Sequence, residues 1–494
     1  MILGLSDRFK ILQQSPHDVE PEPCSEPEPS EDDQKQRWIP SRYNIRAVTD
    51  DGRLVIWNSF TGTMSIFGAA QRTKIEALLS RKGFSAQQEG IVQYLFKRGY
   101  LVKQGTDEYR RIQLGFGQEH YRNDLLQLIL LASEDCNLRC TYCYEDFARG
   151  TMKPWVRTGI KRLIEKRLST LREIAVNWFG GEPLYGFQAI EDLGPFLVDV
   201  AAKHSLAFTS QMTTNGYLLT PDVAEKLLAW KVKKFQITID GTPEEHDRCR
   251  PTRDGEGTFE TIMENLRAMS RRKDHFVVTV RFNFDRQNHH QCKDFLDMVE
   301  REFDRDSRFR VRFRPVGQWG GPNDANLDVC TDDAAELERE MRRQARLRGL
   351  ALSDDITSLG GNGSQVCYAA RPYNFIVGAT GKLMKCTLDL DKNDRNVVGR
   401  LTEEGEFVID QDKFAMWTEP AFESDTKCKK CVILPACQGV YCPLVRIDRG
   451  ESPCSPLRFT GKKDLLDAVQ SSDGNRRRLV LDGVASGASA PSSA

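Results

Sequence analysis

Cysteine is the residue type with most chemistry to offer in this 494-residue chain, which has fourteen. Three are bunched: Cys136, Cys140 and Cys143 stand at C-x3-C-x2-C spacing, just after an apolar run, Leu125 to Ala132, broken only by Gln127. That run reads as a buried strand, so the cysteines open the loop at its C-terminal end, where α/β sheets place their ligand sites. Three thiolates on one short loop can hold three irons of a cubic [4Fe–4S] cluster and leave the fourth iron open. A structural zinc site or a fully ligated ferredoxin cluster needs a fourth cysteine close by. The nearest are Cys24 and Cys249, so the loop does not close on itself.

Cysteines return after residue 354: Cys367, then Cys386 in Gly381-Lys-Leu-Met-Lys-Cys, then Cys428, Cys431, Cys437, Cys442 and Cys454. Four of these (Cys428, Cys431, Cys437, Cys442) have spacings that suit tetrahedral zinc, whereas the whole array suits iron–sulfur ligation. Cys249 and Cys292 lack metal-ligand neighbours in sequence and read as bystanders. Three polar turns also follow predicted strands. Trp178-Phe179-Gly180-Gly181-Glu182-Pro183 offers two glycines, which let backbone approach a ligand, and a carboxylate. Thr213-Thr214-Asn215-Gly216 and Gln236-Ile-Thr238-Ile-Asp240-Gly241 end the next two.

The elements that position these groups alternate. Apolar strands are predicted at 125–132, 174–179, 207–213, 234–239, 276–284 and 309–316. Helices are predicted at 153–170, 221–230, 258–272, 289–304 and 332–348. Repeated βα units imply a parallel sheet, here a partial (β/α)6 TIM-like barrel over 123–350, with chemistry at the C-terminal strand ends. Ahead of it, 39–105 reads as a small α+β unit of winged-helix-like order: a hairpin (Tyr43 to Val48, Leu54 to Trp57), helices at Gln71 to Ser80 and Ala86 to Lys97, and a closing strand at Tyr100 to Val102. The acidic, Pro- and Ser-rich segment 1–38 reads as disordered, because it has too little apolar surface to offset its ordering entropy. The tail 483–494 reads as flexible. The cysteine-rich extension occupies 354–460.

A formal net charge of −1 offers no global field for nucleic acid. The basic runs Lys231 to Lys234 and Arg271 to Lys273 read as solvated surface. No apolar stretch reaches the ~20 residues of a membrane span, and the N-terminal apolar run is too short for a signal peptide. Cysteine-rich chains without such a signal use thiols as ligands rather than as disulfides, which places the protein in the cytoplasm.

The cysteine triplet resembles the signature of the radical SAM superfamily, and the later array resembles its SPASM extension. The resemblance covers about 123–460. It implies that Cys136, Cys140 and Cys143 hold a [4Fe–4S] cluster whose open iron binds S-adenosylmethionine (SAM), and that reductive cleavage yields a 5′-deoxyadenosyl radical. By the same resemblance Tyr142 packs near the adenine, Gly180, Gly181 and Glu182 receive the methionine ammonium, and Asn215, Thr238 and Arg250 contact the rest of the cofactor. Cys428, Cys431, Cys437 and Cys454 would then hold an outer auxiliary cluster. Cys367, Cys386 and Cys442 would supply three ligands to an inner one, with Cys330 or an open iron completing it. Four residues rather than the usual three separate Cys437 from Cys442.

SPASM enzymes mostly act on peptides or proteins. The resemblance therefore implies a maturase that abstracts hydrogen from a ribosomally made peptide and forms a C–S, C–C or C–O cross-link, or makes a related radical modification. An external donor such as flavodoxin or ferredoxin would supply the electron, and the 39–105 unit would hold a leader peptide or simply stabilise the chain. The alternative within the family is oxidation of a Cys or Ser side chain, as in anaerobic sulfatase maturases. Those enzymes place an Asp, their proposed base, where this chain has Thr387, with Asp389 and Asp391 nearby. A non-catalytic iron–sulfur or zinc scaffold is the reading from another class, and the triplet together with Gly180-Gly181-Glu182 argues against it.

Overall fold

The structure, a computed structural model, describes residues 37–470 apart from 86–89, 304–305, 331–332, 355, 357–359, 391–392, 421 and 424. Cys24, Asp391 and the 483–494 tail lie outside the described residues. Two residues assigned to the disordered segment 1–38 correct that reading. Arg37 and Trp38 open strand β1 (Arg37–Pro40), and Trp38 is buried. Composition averaged over the acidic stretch hid one tryptophan that anchors a strand.

Strands β2 (Asn44–Val48), β3 (Leu54–Asn58) and β4 (Met64–Phe67) form an antiparallel meander around the expected Asp50–Gly52 turn. β1 pairs instead with β5 (Phe84–Ser85) and β6 (Leu101–Lys103), so the predicted closing strand belongs to a second small sheet. Every residue of β3 is buried, as expected of an apolar run without alternation, which has two faces to cover. Leu54 and Ile56 face the unit's own core with Trp38 and Phe67. Val55 and Trp57 pack against Ile433, Ala436 and Leu457, beside the distal cysteines. The N-terminal unit is therefore fused to the cysteine-rich region through a shared core.

Six strands then run parallel as sequential neighbours: β7 (Leu125–Ser133), β8 (Glu173–Gly180), β9 (Ala207–Thr214), β10 (Val232–Thr238), β11 (Val277–Phe284) and β12 (Phe309–Pro315). Helices follow them, among these Pro154–Arg167, Pro221–Ala229, Phe259–Ser270, Cys292–Phe303 and Ala334–Leu347. This is the expected α/β partial barrel, its helix-facing core filled by side chains such as Leu128, Trp178, Phe235 and Phe313. The two-residue β13 (Ala351–Leu352) extends it beside β12.

The expected break near residue 354 is not a break in the sheet. β14 (Asn374–Val377) lies parallel to β7, and β15 (Lys382–Met384), β16 (Val397–Leu401) and β17 (Phe407–Ile409) continue from it antiparallel. β7 is almost wholly apolar, so its outer edge is buried and its backbone groups need a partner strand; the extension supplies it. No helix among the described residues is long and apolar enough to cross a membrane.

Candidate active site

The Cys136–Cys143 loop leaves the C-terminal end of β7 and is strapped down by backbone. The N–H groups of Arg139 and Thr141 donate to the carbonyls of Pro251 and Cys249 at 2.8 and 2.9 Å, and Arg253 N–H donates to Asn137 at 2.9 Å. Arg253 also holds Asp135 with one guanidinium nitrogen, at 2.7 and 2.9 Å. Cys249 is thus a neighbour of the loop through its backbone, and its thiol points to Glu245 at 3.3 Å. Leu138 N–H donates to Cys136 Sγ at 3.3 Å, a contact that stabilises a thiolate ligand.

The Gly-Gly-Glu turn at the end of β8 is pressed onto this loop. Gly181 and Glu182 donate their N–H groups to the carbonyls of Ser133 and Asp135, both at 3.0 Å. Gly180 has φ of +128°, and a Cβ there would lie 2.0 Å from the Ser133 oxygen. At Gly181 a Cβ would meet the Asp135 oxygen at 2.8 Å and the Cys136 Cβ at 3.2 Å. Both glycines are required by contact with the cysteine loop. Glu182 is fully buried and accepts from Leu184 N–H (2.9 Å), Thr214 Oγ1 (2.7 Å) and Asn215 N–H (2.7 Å). Burial still pushes its pKa up to about 7 against those donors. Asn215 also donates from Nδ2 to Asn137 Oδ1 at 2.9 Å and lies 3.7 Å from Cys136 Sγ. It links the carboxylate to the cysteine loop.

Tyr142 reaches across the barrel mouth. Its hydroxyl donates to Asp240 and accepts from Arg250 Nη1 at 2.7 Å and Asn283 Nδ2 at 3.1 Å. Asp240, fully buried, accepts Asn283 N–H at 2.9 Å and stands 3.9 Å from Arg250. The composition of the Gln236–Gly241 stretch did not single out Asp240; its role appears only when β10 brings it beside Tyr142. Arg250 keeps a buried Nε without a partner. Thr238 ends β10 opposite Arg281 of β11, on the inward-facing set with Gln236.

The later cysteines sort into two groups. Burial raises the Cys428 thiol to about 12, and the nearby Asp425, Cys437, Cys431 and Cys454 reinforce the shift. Cys437 is held at about 11 by burial, with Cys431 and Cys454 as its neighbouring thiols. These four line one cavity of about 850 Å3. Cys367 and Cys386 are raised in the same way, to about 11 and 12, and their neighbouring thiols are Cys442 and each other. Cys442 therefore stands with Cys367 and Cys386, not with the four that a zinc ribbon requires. Between Cys437 and Cys442, Gln438 and Gly439 adopt φ of +51° and +70°. Cys330 sits apart, beside Asp333, Arg286 and Asp285.

A second cavity of about 780 Å3 fills the barrel. It runs from Tyr142, in the first cysteine loop, to Tyr368 and Thr387, next to Cys367 and Cys386. The Tyr368 and Thr387 hydroxyls are 2.7 Å apart. Asp389 does not stand in for a base there: its carboxylate takes hydrogen bonds from Asn393 (2.5 Å) and Arg395 (3.1 Å). Lys234, read as surface in the run Lys231 to Lys234, also lines the cavity because β10 turns it inward with Gln236.

Residues 130–299 match the family described as the Radical SAM superfamily. The chain is 26% identical over 341 residues to a cysteine-type anaerobic sulfatase-maturating enzyme of Clostridium novyi, across 64% of this chain and 87% of that one. It is 26% identical over 325 residues to the mycofactocin maturase MftC of Mycolicibacterium smegmatis, across 62% and 74% of the two chains. The solved structure of native anSMEcpe with bound AdoMet superposes with a TM-score of 0.52 at 19% identity, over 71% of this chain and 99% of that one. An α/β barrel with a three-cysteine loop at its mouth defines a class of cluster-dependent enzymes. Residues 130–299 are a domain of the radical SAM superfamily, and the chain is an enzyme. Its cofactors are S-adenosylmethionine and the [4Fe–4S] cluster that binds it.

Proposed function

We propose that the chain matures a peptide, using Cys136, Cys140 and Cys143 to hold the SAM-binding cluster. The donor chemistry fits such a group. All three thiols are free of disulfides, and burial together with mutual proximity raises those of Cys136 and Cys143, so cations are needed to balance their thiolates. Bound there, the cluster and SAM supply hydrogen-atom abstraction, and the auxiliary clusters supply an electron acceptor. The protein's own part is positional. Glu182 offers its carboxylate to the cofactor's ammonium, Asn215 ties it to the loop, and Asp240, Tyr142 and Arg250 set the wall of the barrel mouth. Thr238 is assigned to the same wall from its place at the end of β10.

The observation that carries the peptide reading is the continuous cavity between Tyr142 and the Tyr368–Thr387 pair. One substrate can lie between the SAM site and the inner cysteine set. The names of the relatives support a peptide or protein substrate. The oxidation reading of the sulfatase maturases is less favoured here, because a hydroxyl cannot replace a carboxylate as base near neutral pH and Asp389 is otherwise engaged. A precursor peptide whose leader is held by the 39–105 unit, and an external donor such as flavodoxin or ferredoxin, complete the proposal. The test is mass spectrometry of candidate precursor peptides after incubation with reconstituted enzyme, SAM and reductant. Loss of two hydrogens with no carbonyl-reactive group, and with no backbone fragments between two linked residues, supports a cross-link. Conversion of a Cys or Ser to an aldehyde would move the assignment to side-chain oxidation.

We assign Cys428, Cys431, Cys437 and Cys454 to an outer auxiliary cluster, and Cys367, Cys386 and Cys442 to an inner one. Cys442→Ala and Cys454→Ala are each expected to lower iron by about four per chain, and the double variant by about eight, since they act on different clusters. If instead Cys442→Ala and Cys428→Ala removed one and the same zinc ion, a zinc ribbon would replace this assignment.

A further inference from the structure

The barrel cavity carries a charge pattern that the SAM chemistry does not use. Residues 308–314 read Arg-Phe-Arg-Val-Arg-Phe-Arg. In β12 the alternation puts Phe309, Val311 and Phe313 into the helix-facing core, and turns Arg310, Arg312 and Arg314 to the barrel interior. Across the ladder Arg312 pairs in register with Arg281 of β11, placing two guanidinium groups side by side. Among the described residues the cavity lining holds four cations, Lys234, Arg281, Arg310 and Arg312, and a single carboxylate, Asp354.

That carboxylate is engaged through Oδ2, while its Oδ1 is buried without a hydrogen-bond partner among the described residues. Arg314 Nη2 donates to Asp354 at 3.1 Å, and its other Nη donates to Glu338 at 2.7 Å. Arg312 Nε lies 3.7 Å from Asp354, beyond hydrogen-bond range. The Nε atoms of Arg310 and Arg312 are both buried without a hydrogen-bond partner. Arg312 has one neutral contact, Gln236 Oε1 at 3.2 Å, and Arg281 has one, Asn283 Oδ1 at 2.6 Å. For the Arg310 side chain no hydrogen bond or ion pair is present among the described residues. Burial and the neighbouring Arg314 and Arg281 depress Arg312 to about 10, a cost that Asp354 offsets only in part. Buried guanidinium groups persist where a carboxylate or phosphate completes them, and their fork matches a carboxylate bidentately. Arg281 is also near Tyr142 and Asp240, so the cationic patch begins at the SAM site.

We propose that Arg281, Arg310 and Arg312 bind a carboxylate of the peptide substrate. This rests on the maturase reading of the same cavity. The carboxylate comes from an Asp or Glu side chain or from a peptide C-terminus.

Equilibrium dialysis with the full-length reconstituted enzyme, SAM present so that its own carboxylate is accounted for, tests it with three probes. These are acetyl-Gly-Gly-Asp-Gly-Gly-amide, acetyl-Gly-Gly-Asn-Gly-Gly-amide, and the Asn peptide with a free C-terminal carboxylate. At low salt one or both charged peptides are expected to bind at least about tenfold tighter than the neutral one, and whichever does so names the source. In Arg310→Gln that preference is expected to shrink to about twofold or less, while the melting temperature stays level or rises, because an unpartnered, half-buried cation has been removed. Arg312→Lys, which keeps the charge, is expected to retain most of the preference that Arg312→Gln loses. Equal binding of all three probes, binding of none, or an undiminished preference in both Gln variants overturns the proposal. The maturase reading fails separately, as an absent mass change in precursor peptides while 5′-deoxyadenosine is still released.

Discussion

Gly180→Ala is expected to lower SAM cleavage by about a hundredfold or more while leaving the auxiliary clusters loaded. The added methyl would stand 2.0 Å from the Ser133 carbonyl oxygen, which is backbone of β7 and cannot rotate away. The φ of +128° adds strain, since a residue with a side chain rarely adopts it. Relief must come from moving the turn that carries Glu182 away from the cysteine loop. A displacement of about 1 Å at a reacting site is enough for a hundredfold loss. The auxiliary cysteines lie elsewhere in the chain, so iron held by Cys367, Cys386 and Cys442 and by the outer four should be unchanged. The readout is 5′-deoxyadenosine release together with iron content. Wild-type cleavage in this variant would mean that the turn is not registered against the loop as described.

Asp240→Asn is expected to destabilise the chain by about 3 kcal/mol and to weaken SAM binding, because it leaves the buried guanidinium of Arg250 without its compensating charge. Burial pushes the Asp240 carboxyl above its ordinary range, and the neighbouring Arg250 opposes that shift; the carboxylate also accepts the hydroxyl of Tyr142 and the N–H of Asn283. An amide keeps the shape but loses the charge, and with one oxygen it cannot take both hydrogen bonds. Tyr142→Phe removes only the middle of the network, and about 1–3 kcal/mol is expected for it. Calorimetry or denaturant unfolding of the two variants, with SAM affinity measured in parallel, checks the order. If Asp240→Asn were as stable as the wild type, Arg250 would be balanced by some other group.

Much of this site was legible in the sequence. The cysteine triplet, the Gly-Gly-Glu turn and the third strand end meet at the C-terminal strand ends, where the alternating pattern of strands and helices and the apolar β7 run placed them. The two auxiliary sets were implied by the family resemblance rather than by spacing, and in the structure Cys442 is a neighbouring thiol of Cys367 and Cys386. Other features were hidden for definite reasons. Asp240 depends on a cross-barrel meeting with Tyr142, to which no local pattern points. The alternating arginines of β12 were visible, but which face looks into the barrel follows only from the burial of Phe309, Val311 and Phe313. The union of the 39–105 unit with the cysteine-rich region, through Val55 and Trp57, is a long-range contact that a domain reading by composition divides. Deleting that unit would therefore expose the core around Ile433 and Cys437, so tests of leader binding call for surface substitutions in the full-length chain.

The most direct test of the account is made on anaerobically reconstituted full-length protein: iron and sulfide per chain, then 5′-deoxyadenosine release after reduction in the presence of SAM, for wild type and Cys140→Ala. The account predicts about twelve irons in the wild type, about eight in the variant, and release confined to the wild type. Release that survives in Cys140→Ala, or a wild type that binds no iron at the triplet, would contradict it.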